Sequence, residues 1–409
     1  MIAILIYLLL GVLAYTWGIY PLLLWRPPRR PPMPVPPVGE AAAVPQPHLV
    51  ILIAAFNEGE GIAARIHNLF DTDYPADRLT VLVGTDGCTD NTVAEARRAA
   101  GEHSRVMIHA FDTNRGKTAV LRDLVREVGQ MPTPFQDRCL LVFTDANTRF
   151  RRDTLHHLIA PFHDPAIGGV CGRLVFKGAT GNEETAYWDL ETRLKRHESA
   201  LDSCLGANGA IYAIRPDCFW QDIPENTIVD DFVIGMKVRE SGRRMHYEPG
   251  AVAEEEAPAL RDEWARRVRI GRGDYQAALL CKACLHPRYR YFAWSFWSHK
   301  ILRWFTPHIL LLLLALAAII CLTGLGGGGT VRLAAVICLG HTLLMTAAMA
   351  GRLWREIPAA SRTSLVRYCR HADHFVTMQA ALMTGFIQAC RGNLAGTWQR
   401  TPRTRANSA

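Results

Sequence analysis

Apolar residues in this chain fall into two kinds of run: a few long and unbroken, the others short and rich in β-branched side chains. Residues 1–25 are almost wholly apolar and carry no charge, and at about 1.5 Å per residue such a run crosses a bilayer. No basic residue precedes it and no small-residue cleavage site follows, so it reads as an uncleaved anchor rather than a signal peptide. Residues 301–323 and 331–350 are two further runs of spanning length, and the glycine-rich 324–329 between them is short enough to demand an antiparallel hairpin. Residues 374–390 are shorter and lead into a basic tail, 391–409. The pattern there predicts an interfacial or re-entrant helix, with a further span as the alternative.

Between the first run and the others the period changes. Residues 26–47 are so rich in proline that they form an extended linker. From 48 to 273 short apolar runs alternate with helical periods, which predicts an α/β domain with a mostly parallel sheet. Strands are expected at 49–54, 79–84, 106–109 and 140–144, each followed by polar loop residues and an amphipathic helix. Ligands of such sheets sit beyond the carboxyl ends of the strands, so residues just after these runs are the first candidates for chemistry. Residues 274–300 are aromatic and basic but too short to span. They read as an interfacial amphipathic segment with Trp294 and Trp297 at the headgroup level, pressing the domain against the membrane.

A chain of 409 residues with 49% hydrophobic side chains accommodates one catalytic domain of about 200 to 250 residues and several spans. The net charge of +8 first suggests nucleic acid. The arginines, however, gather beside the apolar runs, at Arg26, Arg29 and Arg30, at Arg352, Arg355, Arg362, Arg367 and Arg370, and at Arg400, Arg403 and Arg405. That placement marks topology and contact with anionic membrane lipids, with the domain and tail cytoplasmic and Met1 periplasmic in a multi-pass inner-membrane protein. No basic and aromatic groove pattern supports nucleic-acid binding. The eleven cysteines are scattered, several of them in apolar runs such as Cys139, Cys321 and Cys338, and read as reduced buried thiols. Cys281 and Cys284 form the one C-x-x-C, too little for a zinc site without a second pair.

The first expected strand ends in Ala54, Ala55, Phe56, Asn57 and Glu58, and the second in Thr85, Asp86, Gly87, Cys88, Thr89 and Asp90. An acid directly after a buried strand can accept hydrogen bonds from a base or ribose; alternatively Asp86-Gly87 is a turn, and Asp90 reads best as a helix N-cap. Asp145 and Asn147 follow the fourth strand two residues apart, on one side of an extended chain. Oxygen ligands so spaced suit a hard divalent cation bridging a diphosphate, although a strand-end aspartate can also cap.

Together these pieces resemble glycosyltransferase family 2, inverting enzymes of the GT-A fold, over about residues 49–273. The resemblance is carried by Ala55-Phe56-Asn57-Glu58, Thr85 to Asp90, Asn114-Arg115-Gly116-Lys117, Thr144-Asp145-Ala146-Asn147, Gly206-Ala207-Asn208-Gly209, Val229-Asp230-Asp231 and Arg266-Arg267-Val268-Arg269-Ile270. It implies a Rossmann-like cytoplasmic domain with transmembrane helices at both ends. Ala55, Glu58 and Asp86 would border the uracil and ribose of a UDP-sugar, Lys117 would face the diphosphate, and Asp145 with Asn147 would hold Mg²⁺ or Mn²⁺. Asn147 replaces the second acid of the usual D-x-D, which weakens the expected metal affinity. Asn208 and Gly209 would line the donor or acceptor pocket.

Asp230-Asp231 matches the family's acidic pair, whose second member is the base. Asp231 would take the acceptor proton and Asp230 support it, since adjacent like charges raise the proton affinity of one of them. The alternative is that both cap a helix over 232–240. Arg266 and Arg269 lie three apart on one helix face and match the (Q/R)-x-x-R-W element with Ile270 in place of Trp. They would neutralise the departing diphosphate or, with Arg272, face lipid headgroups. The resemblance implies sugar transfer to a growing polysaccharide or a lipid-linked acceptor in glycan assembly, alongside export or assembly proteins. A non-catalytic scaffold is the rival, opposed by Asp86, Asp145 and Asp231; a transporter is disfavoured because the apolar runs lack internal charge.

Overall fold

The strand that reads as most continuously apolar is the centre of the sheet. In the computed structural model, which describes residues 2–24, 46–132, 139–177, 183–256, 263–357 and 363–393, β1 (His48–Ala55) is buried at all positions. A strand covered on both faces must be apolar on both. Val50, Leu52 and Ala54 enter one core, and Leu49, Ile51, Ile53 and Ala55 enter the other. Strand β1 lies parallel to β2 (Leu79–Asp86) and to β4 (Cys139–Asp145), and β3 (Val106–Phe111) extends β2 in parallel. The four strands expected from the sequence are therefore present, and they make the parallel half.

The other half was not legible. Strand β5 (Arg149–Phe150), β6 (Ile167–Lys177), β7 (Tyr212–Ile214) and β8 (Arg244–Glu256) complete the order β3-β2-β1-β4-β7-β6-β8-β5. Strand β7 runs antiparallel to β4 and β6, and β6 is parallel to β8 with register shifts. Two of these strands are too short to show a period, and β6 begins Ile167-Gly168-Gly169, a poor strand signal.

Helices α2 (Ile62–Phe70), α3 (Thr92–Ala100), α4 (Lys117–Gln130) and α5 (Thr154–Ile159) follow the early strands. Helix α6 (Glu183–Leu201) precedes β7, α7 (Asp230–Glu240) precedes β8, and α8 (Glu263–Leu280) follows it. Because α8 runs through Gly273 to Leu280, the segment 274–300 does not form one separate helix. Short helical pieces at Tyr291–Ser295, Phe296–Ile301 and Leu302–Trp304 fold back instead, with Phe292, Phe296, Cys281 and Cys284 fully buried. The Trp294 indole N–H donates to the Tyr15 hydroxyl at 2.7 Å, while Trp297 remains 46% exposed.

Three helices are long and apolar enough to cross a membrane: α1 (Ile2–Leu23), α9 (Thr306–Thr323) and α10 (Gly327–Leu353). Helix α9 ends at the left-handed Gly324, and most of the glycine-rich stretch becomes the first turn of α10. The expected 374–390 helix starts earlier: α11 (Ser364–Cys390) includes Arg367, Arg370 and Asp373 and does not reach the hydropathy of a span. The linker at 26–45 and the tail from 394 lie outside the described residues.

Helix α11 crosses α8 through paired glycines. A Cβ at Gly385 would meet the backbone N of Arg272 at 2.5 Å, and one at Gly271 would meet Cα of Leu382 at 3.1 Å. Gly385→Ala is accordingly expected to destabilise the protein by about 1–3 kcal/mol through overpacking against backbone. Gly340→Ala in α10, where a Cβ would meet nothing within 4 Å, should be neutral or stabilising by up to about 1 kcal/mol. Thermal unfolding of the two variants in one detergent checks the contrast; equal midpoints would refute the crossing.

Candidate active site

Two loops at the strand ends are stapled together before any ionisable group is placed. Asn57 takes a positive φ of 55°, which asparagine tolerates, and its Oδ1 accepts the Thr89 N–H at 2.9 Å. Asp90 accepts the N–H groups of Gly59 at 3.1 Å and Thr92 at 3.0 Å, so it ties two loops rather than serving only as the cap expected. Gly87 has φ 62°, and a Cβ there would lie 2.4 Å from the Asn114 nitrogen. Only glycine lets the 113–116 loop come this close. The buried Asp86 carboxylate then accepts the N–H groups of Arg115 at 2.9 Å and Gly116 at 2.8 Å. Those bonds fix the start of α4 and with it Lys117.

Lys117 is the hub of the site. Its ammonium lies 2.6 Å from Asp145 Oδ1 at the end of β4 and 3.9 Å from Asp230 Oδ2. Gly209 forms the floor: a Cβ built there would sit 3.0 Å from Lys117 Nζ, 3.2 Å from Asp145 Oδ2 and 3.5 Å from Asp231 Oδ2. Burial opposes the charge on Lys117, but Asp145, Asp230 and Asp231 outweigh it and raise its pKa. For Asp230, burial is the larger effect. It lifts the carboxyl to about 6, with Lys117 pulling down and Asp231 and Asp145 pushing up.

Helix α7 begins at Asp230, and its N-cap, Val229, makes no side-chain cap bond. The aspartates are therefore first-turn residues at the positive end of the helix, not the caps of a helix over 232–240. Asp230 is buried, whereas the half-buried Asp231 faces the cleft, one oxygen accepting the Phe232 N–H at 2.8 Å.

The cleft holds about 430 Å³ and is bordered by Glu58, Lys117, Asp145, Asn147, Asn208, Gly209, Asp230, Asp231, Arg266 and Arg269. The fold thus unites all the candidates except Ala55 and Asp86, which do not line it. Ala55 is fully buried in the core, and Asp86 places Lys117 as described above. Asn208 lines the cleft, but its amide donates to the Gly172 carbonyl at 2.8 Å and accepts from Ile211 N–H at 3.2 Å, which shapes the turn holding Gly209. Arg266 pairs with Glu263 at 3.4 Å. Arg269 makes no ion pair or hydrogen bond among the described residues; burial and then Arg266 lower its pKa, against Asp230 and Asp231. Arg272 does not line the cleft and reaches Asn393 at 3.3 Å.

Further lining residues escaped the sequence reading, among them Glu191, Lys195, Glu255, Glu256, Asp274, Lys300 and Trp304. Asp274 alone left a signal, since Arg266, Ile270 and Asp274 are spaced by four along α8 and share a face.

Oxygen and nitrogen charges gathered at the ends of a mostly parallel α/β sheet, with membrane-length apolar helices on either side, define a membrane-associated GT-A-type domain. The model of the glycosyltransferase-like family 2 matches residues 45–273, and the chain belongs to that family. It is 27% identical over 61% of its length to a β-monoglucosyldiacylglycerol synthase of Synechocystis, covering 52% of that protein. It is 26% identical over 56% of its length to an N-acetylglucosaminyltransferase of Azorhizobium caulinodans, covering 61% of it. The chain thus spans about half to three-fifths of these curated relatives. A mannosyltransferase of Pyrobaculum calidifontis, solved in complex with GDP-Man and Mn²⁺, superposes with a TM-score of 0.68 at 21% identity, covering 94% of this chain and 99% of that one. With 94% of this chain covered, the agreement of fold extends over the membrane-length helices as well as the sheet.

The raised Asp230 gives a signed pH dependence. Its folded pKa of about 6 exceeds the ordinary 3.8, so the stability it contributes is full below about pH 4 and is lost as pH rises through 6. Asp230→Asn should therefore gain relative to wild type between pH 4.5 and 7.5. Unfolding midpoints of both proteins at the two pH values measure this, and a constant difference would contradict it.

Proposed function

We propose that the protein is an inverting hexosyltransferase that moves a sugar from a UDP-sugar to a hydroxyl of a lipid-borne acceptor, on the cytoplasmic side of an inner membrane. The observation that carries this reading is the convergence of Lys117, Asp145, Asp231 and Gly209 at the strand ends, where a diphosphate and an acceptor hydroxyl would meet. Membrane-length helices beside the cleft and the glycerolipid named for the Synechocystis relative favour a lipid over a free polymer.

In this reading the acceptor oxygen attacks the anomeric carbon as the bond from that carbon to the diphosphate oxygen breaks, on the opposite face. The bonding pair leaves with the nucleoside diphosphate. Asp231 accepts the acceptor proton, and Asp230 holds Lys117 from the buried side. Lys117, Arg266 and the unpaired Arg269 meet the charge that builds on the leaving group, where fixed cations in a shielded cleft act most strongly.

The donor set fits a divalent cation. Asp145 and Asn147 offer hard oxygen ligands, and the ammonium 2.6 Å from Asp145 shows that the spot favours positive charge. Among the described residues no three His, Cys, Asp or Glu side chains form a metal cluster; Mg²⁺ or Mn²⁺ held by Asp145 and Asn147 would take its other ligands from substrate phosphate and water. Bound there, the ion would supply Lewis-acid neutralisation of the diphosphate.

The reading is tested by nucleotide release from detergent-solubilised protein supplied with UDP-glucose, UDP-GlcNAc, UDP-galactose, UDP-glucuronate and GDP-mannose. Asp231→Asn should still bind UDP yet lose transfer by about a hundredfold or more, the scale of a missing general base, while Asp230→Asn loses less. Equal transfer in all three proteins would remove the pair from the chemistry. On the metal side, Asp145→Ala should abolish metal-dependent turnover and Asn147→Asp should retain it or tighten metal binding, because an added carboxylate strengthens the field at a hard cation. Full wild-type activity in EDTA would sink the metal assignment.

A further inference from the structure

The cleft has a second end, and nothing in the chemistry above uses it. Beyond Asp231 the wall passes to Glu191 and Lys195 of α6, to Asp274 on the same α8 stripe as Arg266 and Ile270, and to Lys300 and Trp304. Glu191 is fully engaged. It receives His299 Nε2 at 2.9 Å, Lys300 Nζ at 2.9 Å and Arg303 Nη1 at 3.0 Å. The other His299 nitrogen lies 2.7 Å from Glu198, which also accepts the Tyr20 hydroxyl at 2.7 Å. This chain of contacts braces the wall directly to α1, one of the membrane-length helices.

Lys195 and Asp274, by contrast, have no ion pair or hydrogen bond among the described residues. Ionisable groups taken out of bulk water are normally paired, because leaving them unpaired is costly. Two such groups opening on one cleft indicate a ligand. Their chemistry says which kind. Burial raises Asp274 to about 8, against Lys300 and with Glu191 and Asp231, so near neutral pH it is mostly an uncharged carboxyl that both donates and accepts. Lys195 stays cationic: burial opposes its charge, but the acidic groups of Cys171, Cys204, Tyr247 and Glu191 outweigh it. Trp304, set edge-on to Phe232 at 5.7 Å, adds an apolar wall. With Lys300 committed to Glu191, Lys195 is the one ammonium of this wall without an ion pair among the described residues, and Glu191 stands near it, which is too little to draw in a phosphate. A neutral headgroup needs no counter-charge.

We propose that Lys195 and Asp274 form the acceptor subsite, and that it takes the neutral, oxygen-rich headgroup of a glycerolipid, holding the oxygens next to the reacting hydroxyl. Those oxygens are the ester carbonyls of diacylglycerol or the hydroxyls of a glycosylated diacylglycerol. This rests on the hexosyl-transfer reading and adds the acceptor class to it.

The test uses the full chain in mixed micelles, with the nucleotide sugar that wild type turns over fastest and three acceptors: dioleoylglycerol, monoglucosyl-dioleoylglycerol and a polyprenyl phosphate. Asp274→Ala and Lys195→Met should each raise the acceptor KM at least about tenfold, while UDP affinity and acceptor-free UDP release stay within about twofold. Asp274→Asn keeps a donor and an acceptor and should recover part of the loss. The wild-type acceptor KM should rise above about pH 8 as Asp274 ionises, and the Asn variant should stay flat. The better of the two glycerolipids identifies the source of the oxygens. Unchanged acceptor KM in both removal variants, or a polyprenyl phosphate preferred over both glycerolipids by wild type, would overturn the subsite while leaving the transfer reading intact. Wild type that neither binds UDP nor releases it from any donor would overturn the transfer reading itself, and the subsite with it.

Discussion

The site depends on one ammonium held among three carboxylates. Lys117 meets Asp145 and Asp230 directly, and Asp231 comes to the same point across Gly209. The four residues arrive on three elements: Lys117 on α4, Asp145 at the end of β4, and Asp230 and Asp231 in the first turn of α7. The sheet order explains the meeting, since the strand order reverses between β1 and β4, and β4 also borders the first antiparallel strand, β7. Ligands of open α/β sheets collect at such a change of direction. One ammonium for three carboxylates leaves a negative excess at this point, the state that a further cation would complete. Asp86 belongs to the same arrangement although it lies outside the cleft. By taking two backbone N–H groups of the 115–116 turn, it fixes the origin of the helix that presents Lys117.

The cleft is also tied to the helices that flank the sheet domain. Helix α8 shows its Arg266, Ile270 and Asp274 face to the cleft and its Gly271 to α11, close enough that backbone meets backbone. On the other side, Tyr20 of α1 reaches the cleft wall through Glu198, His299 and Glu191. A rigid-body shift of either helix must therefore move groups that line the cleft, because packed interiors transmit displacement rather than absorb it.

What the sequence disclosed follows from range. The parallel strands were legible because burial on both faces writes itself into consecutive residues, as in Leu49 to Ala55. The motif residues around Lys117, Asp145 and Asp231 were legible because strand ends and helix starts are local. The braced end of the cleft was hidden. Glu191, Lys195 and Glu198 read as ordinary charges on a helix, and His299 as one of several basic residues in an aromatic stretch, until the chain brings residues about a hundred positions apart to hydrogen-bonding distance. Burial within the segment 274–300 was hidden for a related reason. Its aromatic side chains suit a headgroup layer, yet Phe292 and Phe296 suit a protein interior equally well, and periodicity cannot choose between two apolar surroundings. Asp86 was legible as important, but its role was not, since a turn that spends a carboxylate on its own backbone looks the same in sequence as one that offers it to a ligand.

The departure at Asn147 takes on meaning beside this charge count. A second acid two residues after Asp145 would put four carboxylates around Lys117, with Glu255 and Glu256 also on the cleft wall. Burial already lifts Asp230 to about 6, and each added negative charge would raise the proton affinity of that carboxyl further. A buried acid protonated at neutral pH would no longer anchor Lys117 by charge. In the proposed metal site asparagine would offer a hard oxygen without adding to this repulsion, and its weaker hold on a cation is the counterpart of that.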